Sequence, residues 1–278
     1  MSMKNLRHTI RESLGNIWRE LKITLTPAPK PEKWVFIVGC YNSGTTLLAE
    51  LLGTHPAISA LPTEGHFITD EFIKDYDVGL PRMWVGNERL FRLTENDLGP
   101  DASRIKREWA MRLDTQKTIF LEKSPPNSAR TRWLQKHFEN AHFIGIVRNG
   151  YAVAEGIKRK AKPQHVPEGW SIAEAIWQWK RGNEILFADA KNLKNYMQIS
   201  YEDLAADTDR CLDSITKFLE ITPFHEKSMS GEFKIHERSQ AVENLNSVSI
   251  KNLTNTQIKE INAIASDMLD DLGYFEAQ

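Results

Sequence analysis

The stretch WVFIVGCYNSGTTLLAELL, residues 34–52, restricts the fold of this chain more than any other. Its apolar beginning, residues 34–38, is typical of a buried parallel strand. Gly39 and Gly44 enclose four residues, and the leucines after Thr46 have helical spacing. Glycines between a strand and a helix allow backbone N–H groups to surround an anion at the helix N-terminus. The stretch therefore predicts a phosphate-binding loop on a parallel scaffold.

This loop differs from a Walker A motif at one position. The pattern GxxxxGK[ST] contains a lysine that reaches the β- and γ-phosphates, and here Thr45 takes its place. Backbone groups and the hydroxyls of Ser43, Thr45 and Thr46 can hold one phosphate, without the cation expected for a nucleoside triphosphate. The alternative is a strand–turn–helix in which the glycine serves packing alone.

The remaining pattern predicts an α/β fold with a P-loop-like parallel sheet of about five strands flanked by helices. The expected strands lie near residues 34–39, 58–61, 118–121, 142–147 and 196–200. Residues 31–278 then form a single domain. The mixed-charge segment at about 75–117 is expected to be a helical insertion, which either shapes an acceptor pocket or is ordinary helical cover.

Polar side chains follow three of these strands. Glu64 and His66 come after the second strand, Lys123 after the third, and Arg148 after the fourth. Ligands of open parallel sheets bind at the carboxyl ends of the strands, so these side chains are expected to face the phosphate loop. In an extended segment residues two apart share a face, so Glu64 and His66 could both reach a ligand. A solvated turn is the alternative for this pair.

Arg148 ends a buried strand and predicts a second anion site. The basic residues 158–160 of the following helix either extend that site or form a solvated helix end.

Composition excludes several classes of protein. The net charge of −1 gives no sign of nucleic-acid binding. Cys40 and Cys211 form neither a disulfide framework nor a metal-binding spacing, and this cysteine usage fits the cytoplasm. Cys40 lies inside the loop, either as a reactive thiol or, as we favour, as a small residue without a chemical role.

Residues 1–30 predict an amphipathic helix followed by a proline-rich link. One face of residues 4–23 carries Leu6, Ile10, Leu14, Ile17 and Leu21. This helix either packs on the domain or on a partner, which we favour, or makes a peripheral contact with an anionic membrane. No apolar run reaches the roughly 18 residues of a spanning helix, so we expect no transmembrane segment.

Five segments in this order resemble the sulfotransferase family, and most closely its protein-tyrosine sulfotransferase branch. They are GCYNSGTTLL, LEKSPPN, IVRNGYAVAEG, ISYEDL and the tail from residue 237. The resemblance covers about residues 34–275. It implies transfer of a sulfuryl group from 3′-phosphoadenosine 5′-phosphosulfate (PAPS) to a hydroxyl, less often an amine, with release of the bisphosphate PAP. It also implies that no metal takes part.

The resemblance further implies roles for individual residues. The cofactor would be bound by Asn42, Ser43, Gly44, Thr45 and Thr46 at the 5′-phosphosulfate, Arg148 at the 3′-phosphate, Tyr201 near the adenine, and Lys251 as a late phosphate contact. The reaction would use Glu64 as general base with His66 as its rival, Lys123 on the transferring and leaving groups, and Ser239 on the sulfuryl group.

The chain departs from the family pattern at two positions. Asn42 stands where the branch commonly has Arg or Lys, and Gly156 stands where the family commonly has Ser. The first departure removes a cation that would help the leaving group. The second leaves the 3′-phosphate to Arg148, backbone groups and Lys158 or Lys160.

Two other functions stay open at this point, a P-loop nucleotide kinase or NTPase and a non-catalytic nucleotide-binding protein. Thr45 argues against the first, and only Asn42 and Gly156 favour the second. For a sulfotransferase, the acceptor could be a small molecule, carbohydrate, lipid or peptide, since cofactor motifs do not report on it. Formation of a homodimer also stays open.

Overall fold

Five parallel strands form the centre of the molecule. In this computed structural model, which describes residues 15–161, 166–224 and 242–274 and the backbone of 233–235 and 238–240, they are β1 (Lys33–Val38), β2 (Ile58–Ala60), β3 (Ile119–Lys123), β4 (Ala141–Val147) and β5 (Tyr196–Ser200). Their order in the sheet is β2–β3–β1–β4–β5. The predicted α/β fold with five parallel strands is therefore confirmed.

Helices flank this sheet. They are α1 (15–25), α2 (Thr45–Gly53), α3 (Glu88–Phe91), α4 (Ala102–Ala110), α5 (Thr131–His137), α6 (Gly150–Lys160), α7 (Ile172–Ala190), α8 (Tyr201–Ala206), α9 (Thr208–Leu219), α10 (Asn246–Ile250) and α11 (Asn255–Asp271). Segment 75–117, predicted as a helical insertion, contains α3 and α4. A small antiparallel pair that the sequence pattern did not predict, β6 (Phe233–Ile235) and β7 (Arg238–Gln240), lies outside the main sheet.

The alternation of side chains along β1 directs them to two apolar layers. Val35 and Ile37 face a layer that includes the leucines of α2 and residues of α9. Trp34 and Phe36 face the other layer, where their rings lie 6.0 Å and 6.4 Å from Trp109 of α4. Because both faces of β1 are covered, the strand is buried at the middle of the sheet, as its continuous apolar sequence predicts.

The register of the strands brings the predicted site segments to one edge. Ile37 of β1 lies opposite Lys123 at the end of β3, and Val38 lies opposite Gly145 of β4. The loop after Val38, the end of β3 and Arg148 directly after β4 therefore meet at the carboxyl edge of the sheet.

The described part of the N-terminal helix, α1, packs on the domain through few contacts. Ile23 is buried, and Arg19 forms ion pairs with Asp70 at 2.7 Å and Glu108 at 2.9 Å. Ile17 and Leu21 of the predicted apolar face are exposed. The earlier part of the predicted helix, residues 4–14, lies outside the described residues.

Within the described ranges, every helix is either too short or too polar to span a membrane.

Candidate active site

A cavity of ≈ 750 Å³ lies at the carboxyl edge of the sheet. Its volume is within the range of about 300–1,000 Å³ that is usual for ligand sites. Predicted site residues from separate elements line it, namely Asn42, Gly44, Thr45, Thr46, Glu64, Arg148 and Tyr201. The structure thus brings together residues that the sequence places far apart.

The phosphate loop ends where α2 begins. Gly44 is the N-cap residue of α2, has a φ of 94°, and offers no side chain to cap the first turn. A Cβ at this position would lie 2.7 Å from the ring of Tyr201, so only glycine fits. The N–H groups of the first helical turn therefore have no side-chain acceptor and point to the loop, where an anion is favoured.

Ser43 adds a second unsatisfied group to this loop. It is fully buried, and its hydroxyl has no hydrogen-bond partner among the residues that the structure describes. Buried polar groups are normally paired, but Ser43 is not among the residues that line the cavity.

Arg148 is held in place beside the loop. Its Nη1 donates to the carbonyl of Asn42 at 2.9 Å, and its Nε donates to Oδ1 of Asn246 at 2.8 Å. The guanidinium carbon lies 4.0 Å from the centre of the Tyr201 ring. Burial lowers the pKa of Arg148, mainly by desolvation. The guanidinium is fixed by three elements before any ligand arrives.

Tyr201, predicted near the adenine, begins α8. Its hydroxyl donates to the carbonyl of Glu243 at 2.8 Å and accepts from the backbone N–H of Leu245 at 3.2 Å. Its ring therefore forms a fixed aromatic wall between the loop and the segment that leads into α10.

Three further cations line the cavity: Arg82, Arg159 and Lys160. Burial, followed by repulsion from Arg82, Arg159 and Arg148, lowers the pKa of Lys160 to about 8. Lys158 is exposed and does not line the cavity. Of the two lysines that the sequence offered for the second anion site, Lys160 is the one at the cavity.

Glu64 and Lys123 meet on the other side of the cavity. Nζ of Lys123 donates to Oε1 of Glu64 at 2.8 Å. The Glu64 side chain lines the cavity and is 22% exposed. Lys123 is the last residue of β3, which is longer at this end than predicted, so its position is set by the sheet itself.

His66 does not line the cavity, although its Nδ1 lies 3.7 Å from Oε2 of Glu64. The chain forms a 3-10 turn over Gly65–Phe67 instead of an extended segment, which directs the imidazole inward. Its side chain is 1% exposed, and its Nδ1 lies 3.1 Å from the hydroxyl of Ser124. Burial, followed by Arg130 and Lys123, lowers the pKa of His66 to about 3.

Sequence reasoning missed a buried carboxylate beneath this pair, Glu122. It accepts hydrogen bonds from the backbone N–H of Gly65 at 2.8 Å, from the hydroxyl of Ser124 and from the amide of Asn127. Burial raises the pKa of Glu122 to about 7. The signal in the sequence was a carboxylate inside an apolar strand, which rarely stays buried without partners.

The remaining predicted site residues lie elsewhere. Lys251 follows α10, is exposed and does not line the cavity. Ser239 lies in β7, and its side chain is outside the described part of the chain. Burial raises the pKa of Cys40 to about 12, which disfavours a reactive thiol.

No group of three or more His, Cys, Asp or Glu side chains is arranged for a metal ion within the described residues.

Comparison with known proteins gives one family. The family model described as "Sulfotransferase family" matches residues 35–226. No curated protein sequence is significantly similar to the chain.

Solved structures agree on the fold. The sulfotransferase domain of the Synechococcus PCC 7002 olefin synthase is 22% identical with a TM-score of 0.54, and the match covers 87% of this chain and 98% of that domain. The sulfotransferase domain of the curacin biosynthetic pathway is 21% identical with a TM-score of 0.53, and the match covers 90% of this chain and 100% of that domain. Mouse sulfotransferase SULT7A1, solved with PAP, is 17% identical with a TM-score of 0.50, over 88% of each chain.

Proposed function

The chain belongs to the sulfotransferase family, and from this premise we propose that it transfers a sulfuryl group from PAPS to a hydroxyl group of an acceptor and releases PAP. One observation carries the donor part of the proposal. A single cavity is lined both by an uncapped phosphate loop and by the buried cation Arg148. PAPS carries anionic groups at its 5′ and 3′ positions, which suits two separate anion sites.

The residues at the cavity fit such a ligand. Thr45 and Thr46 line the cavity and carry hydroxyls, and the first turn of α2 has no side-chain cap. Thr45 stands where a lysine would reach the phosphates of a nucleoside triphosphate. Mouse SULT7A1 was solved with PAP, which supports the choice of donor by analogy. We assign the 5′ group to the backbone groups of residues 42–46 and the hydroxyls among them, the 3′-phosphate to Arg148 and Lys160, and the adenine to the neighbourhood of Tyr201.

Glu64 is our candidate for the general base. A hydroxyl becomes a strong nucleophile only when its proton is removed, and a positioned carboxylate can accept that proton. Glu64 lines the cavity, whereas His66 is buried away from it and has a pKa of about 3.

Lys123 and the loop would stabilise negative charge. When bound, PAPS supplies the sulfuryl group and a phosphate as leaving group. Lys123 does not itself line the cavity, but its ammonium is held 2.8 Å from Glu64 and so lies beside the base. The N–H groups at the start of α2 are already oriented toward the loop. Catalysis would then come mainly from positioning and electrostatics.

Ser239 and Lys251 stay predictions, as do the single-domain organisation and the homodimer. Both cysteines, Cys40 and Cys211, are free and buried. This state supports the cytoplasmic location that their small number suggested, since thiols stay reduced there.

Mass spectrometry tests the proposed activity. The protein is incubated with PAPS and a chelator together with small alcohols, phenols, carbohydrates, lipids and tyrosine peptides. We expect the mass gain of one SO₃ group on at least one acceptor class, and no gain with the Glu64→Gln variant. Failure to modify any class, together with tight PAP binding, would favour a non-catalytic nucleotide-binding protein. Transfer of phosphate from Mg·ATP would favour a kinase.

A further inference from the structure

Asn42 in the loop and Gly156 in α6 occupy adjoining space. A Cβ atom added at Gly156 would lie 3.1 Å from Cγ of Asn42 and 3.3 Å from its Cβ and Nδ2. The three nearest atoms all belong to this one side chain. A side chain at position 156 and the side chain of Asn42 therefore compete for the same volume, because interiors are packed without spare room.

The backbone keeps Asn42 in this place. Its φ is 62°, in the left-handed region that asparagine adopts more readily than most residues. Its carbonyl accepts the hydrogen bond from Nη1 of Arg148 at 2.9 Å. The backbone of Asn42 is thus tied to the cation of the second anion site, whereas its side chain can still rotate about the Cα–Cβ bond.

The amide of Asn42 is unsatisfied. Both Nδ2 and Oδ1 are buried, and neither has a hydrogen-bond partner among the residues that the structure describes. The residue nevertheless lines the cavity. Burying an amide without a partner is costly, so a ligand in the cavity is the natural partner for these atoms.

From this arrangement we infer that the amide of Asn42 binds the same phosphate as Arg148, and that glycine at position 156 leaves room for it. The inference rests on the proposed function, since the phosphate is the 3′-phosphate of PAPS or PAP. Nδ2 donates to a phosphate oxygen beside the guanidinium. Asn42 and Gly156 are also the two departures from the family pattern, and their proximity couples a change at one position to the side chain at the other.

A double-mutant cycle tests this coupling. Four proteins are compared: the wild type, Asn42→Ala, Gly156→Ser and the double variant. Each is titrated by calorimetry with PAP and with adenosine 5′-phosphate, which lacks the 3′-phosphate, in the presence of a chelator. Melting temperatures without ligand are measured in parallel, because Gly156→Ser is expected to lower stability through the clash and to do so much less when Asn42 is alanine.

We expect each single variant to bind PAP about tenfold more weakly, the loss typical of a hydrogen bond to a charged group. Binding of adenosine 5′-phosphate should change less than about threefold. The double variant should bind PAP more tightly than Asn42→Ala, since the serine hydroxyl enters the vacated space and donates in its place. This last comparison stays decisive if Gly156→Ser alone does not fold.

Three outcomes would overturn the inference. One is a double variant whose PAP affinity equals the product of the two single losses. Another is an Asn42→Ala variant whose affinities for PAP and for adenosine 5′-phosphate fall by the same factor. If the wild type binds no PAP at all, the proposed function fails and this inference fails with it, whereas PAP binding with additive losses overturns the inference alone.

Discussion

The two sides of the cavity differ in how their polar groups are paired. On the loop side, Asn42 and Ser43 have buried polar atoms without partners among the described residues. On the strand-end side, Glu64 is paired with Lys123, and Glu122 accepts hydrogen bonds from its surroundings. The loop side therefore gains partners from a ligand, whereas the Glu64–Lys123 pair is already formed without one. Nε2 of His66 and Oδ1 of Asn127 near this pair are also buried without partners among the described residues.

This difference indicates a division of labour. Groups that gain their partners from a ligand contribute to affinity in the ground state. Groups that are held in position beforehand can act on charge that develops in the transition state, which raises turnover instead. Substitutions on the loop side should thus change binding, and substitutions on the strand-end side should change kcat.

Replacing Glu64 by glutamine should have the largest effect. The variant keeps the size of the side chain and removes the base, so we expect kcat to fall by roughly 10²–10⁴-fold with PAP affinity nearly unchanged. Steady-state kinetics and PAP titration measure the two quantities. His66→Asn is the matched control and should retain more activity. Full turnover by Glu64→Gln together with an inactive His66→Asn would assign the base to His66.

Lys123→Ala should lower kcat by roughly 10²–10³-fold, the usual loss for one group that stabilises transition-state charge. The KM for PAPS should change little. Lys194→Ala is a suitable control, because this exposed lysine lies next to the amino end of β5, at the opposite edge of the sheet. If Lys123→Ala alters only the KM for PAPS, the residue belongs functionally to the loop side, and the division of labour fails there.

Arg148→Ala should weaken PAP binding by roughly 10–100-fold, since the variant removes a charged hydrogen-bond donor from a buried site. The affinity for adenosine 5′-phosphate should fall much less, because this nucleotide has no 3′-phosphate. Equal losses for both nucleotides would show that Arg148 supports the loop through Asn42 instead of binding a phosphate. Titration of both ligands against the same variant distinguishes these results.

The order of strands and loops could be predicted from the sequence because both depend on local pattern. The apolar run 34–38, the glycines of the loop and Arg148 at a strand end were sufficient to expect one edge with two anion sites. The position of His66 could not be predicted, because it depends on a 3-10 turn that has no clear sequence signal. The contact between Asn42 and Gly156 depends on the rotation of α6 against the loop, which only tertiary packing determines.

The smallest predicted effect is that of Glu122 on the stability of the folded protein. Burial raises its pKa from 4.5 to about 7, so the folded state binds more protons than the unfolded state between these values. Stability contributed by this residue should therefore decrease as the pH rises through that window. We expect the melting temperature of Glu122→Gln, relative to wild type, to increase by a few degrees from about pH 5 to about pH 8.

The lowered pKa of His66 acts in the opposite direction. The unfolded imidazole takes up a proton below its ordinary pKa of 6.5, whereas the folded imidazole does so only near 3. The stability that neutral His66 contributes to the fold is therefore lost as the pH falls from 6.5 toward 3. Since both proteins contain His66, their difference isolates Glu122. Parallel pH profiles of the two melting temperatures would show that Glu122 carries no raised pKa.

Calorimetric titration of the wild-type protein with PAP in the presence of a chelator tests the central claim most directly. We expect saturable binding of PAP without metal, much tighter than binding of adenosine 5′-phosphate, because only PAP reaches both the loop and Arg148. Mg·ATP should not displace it at similar concentration. Absence of PAP binding, or tighter binding of Mg·ATP, would contradict the assignment of this cavity to a sulfuryl donor.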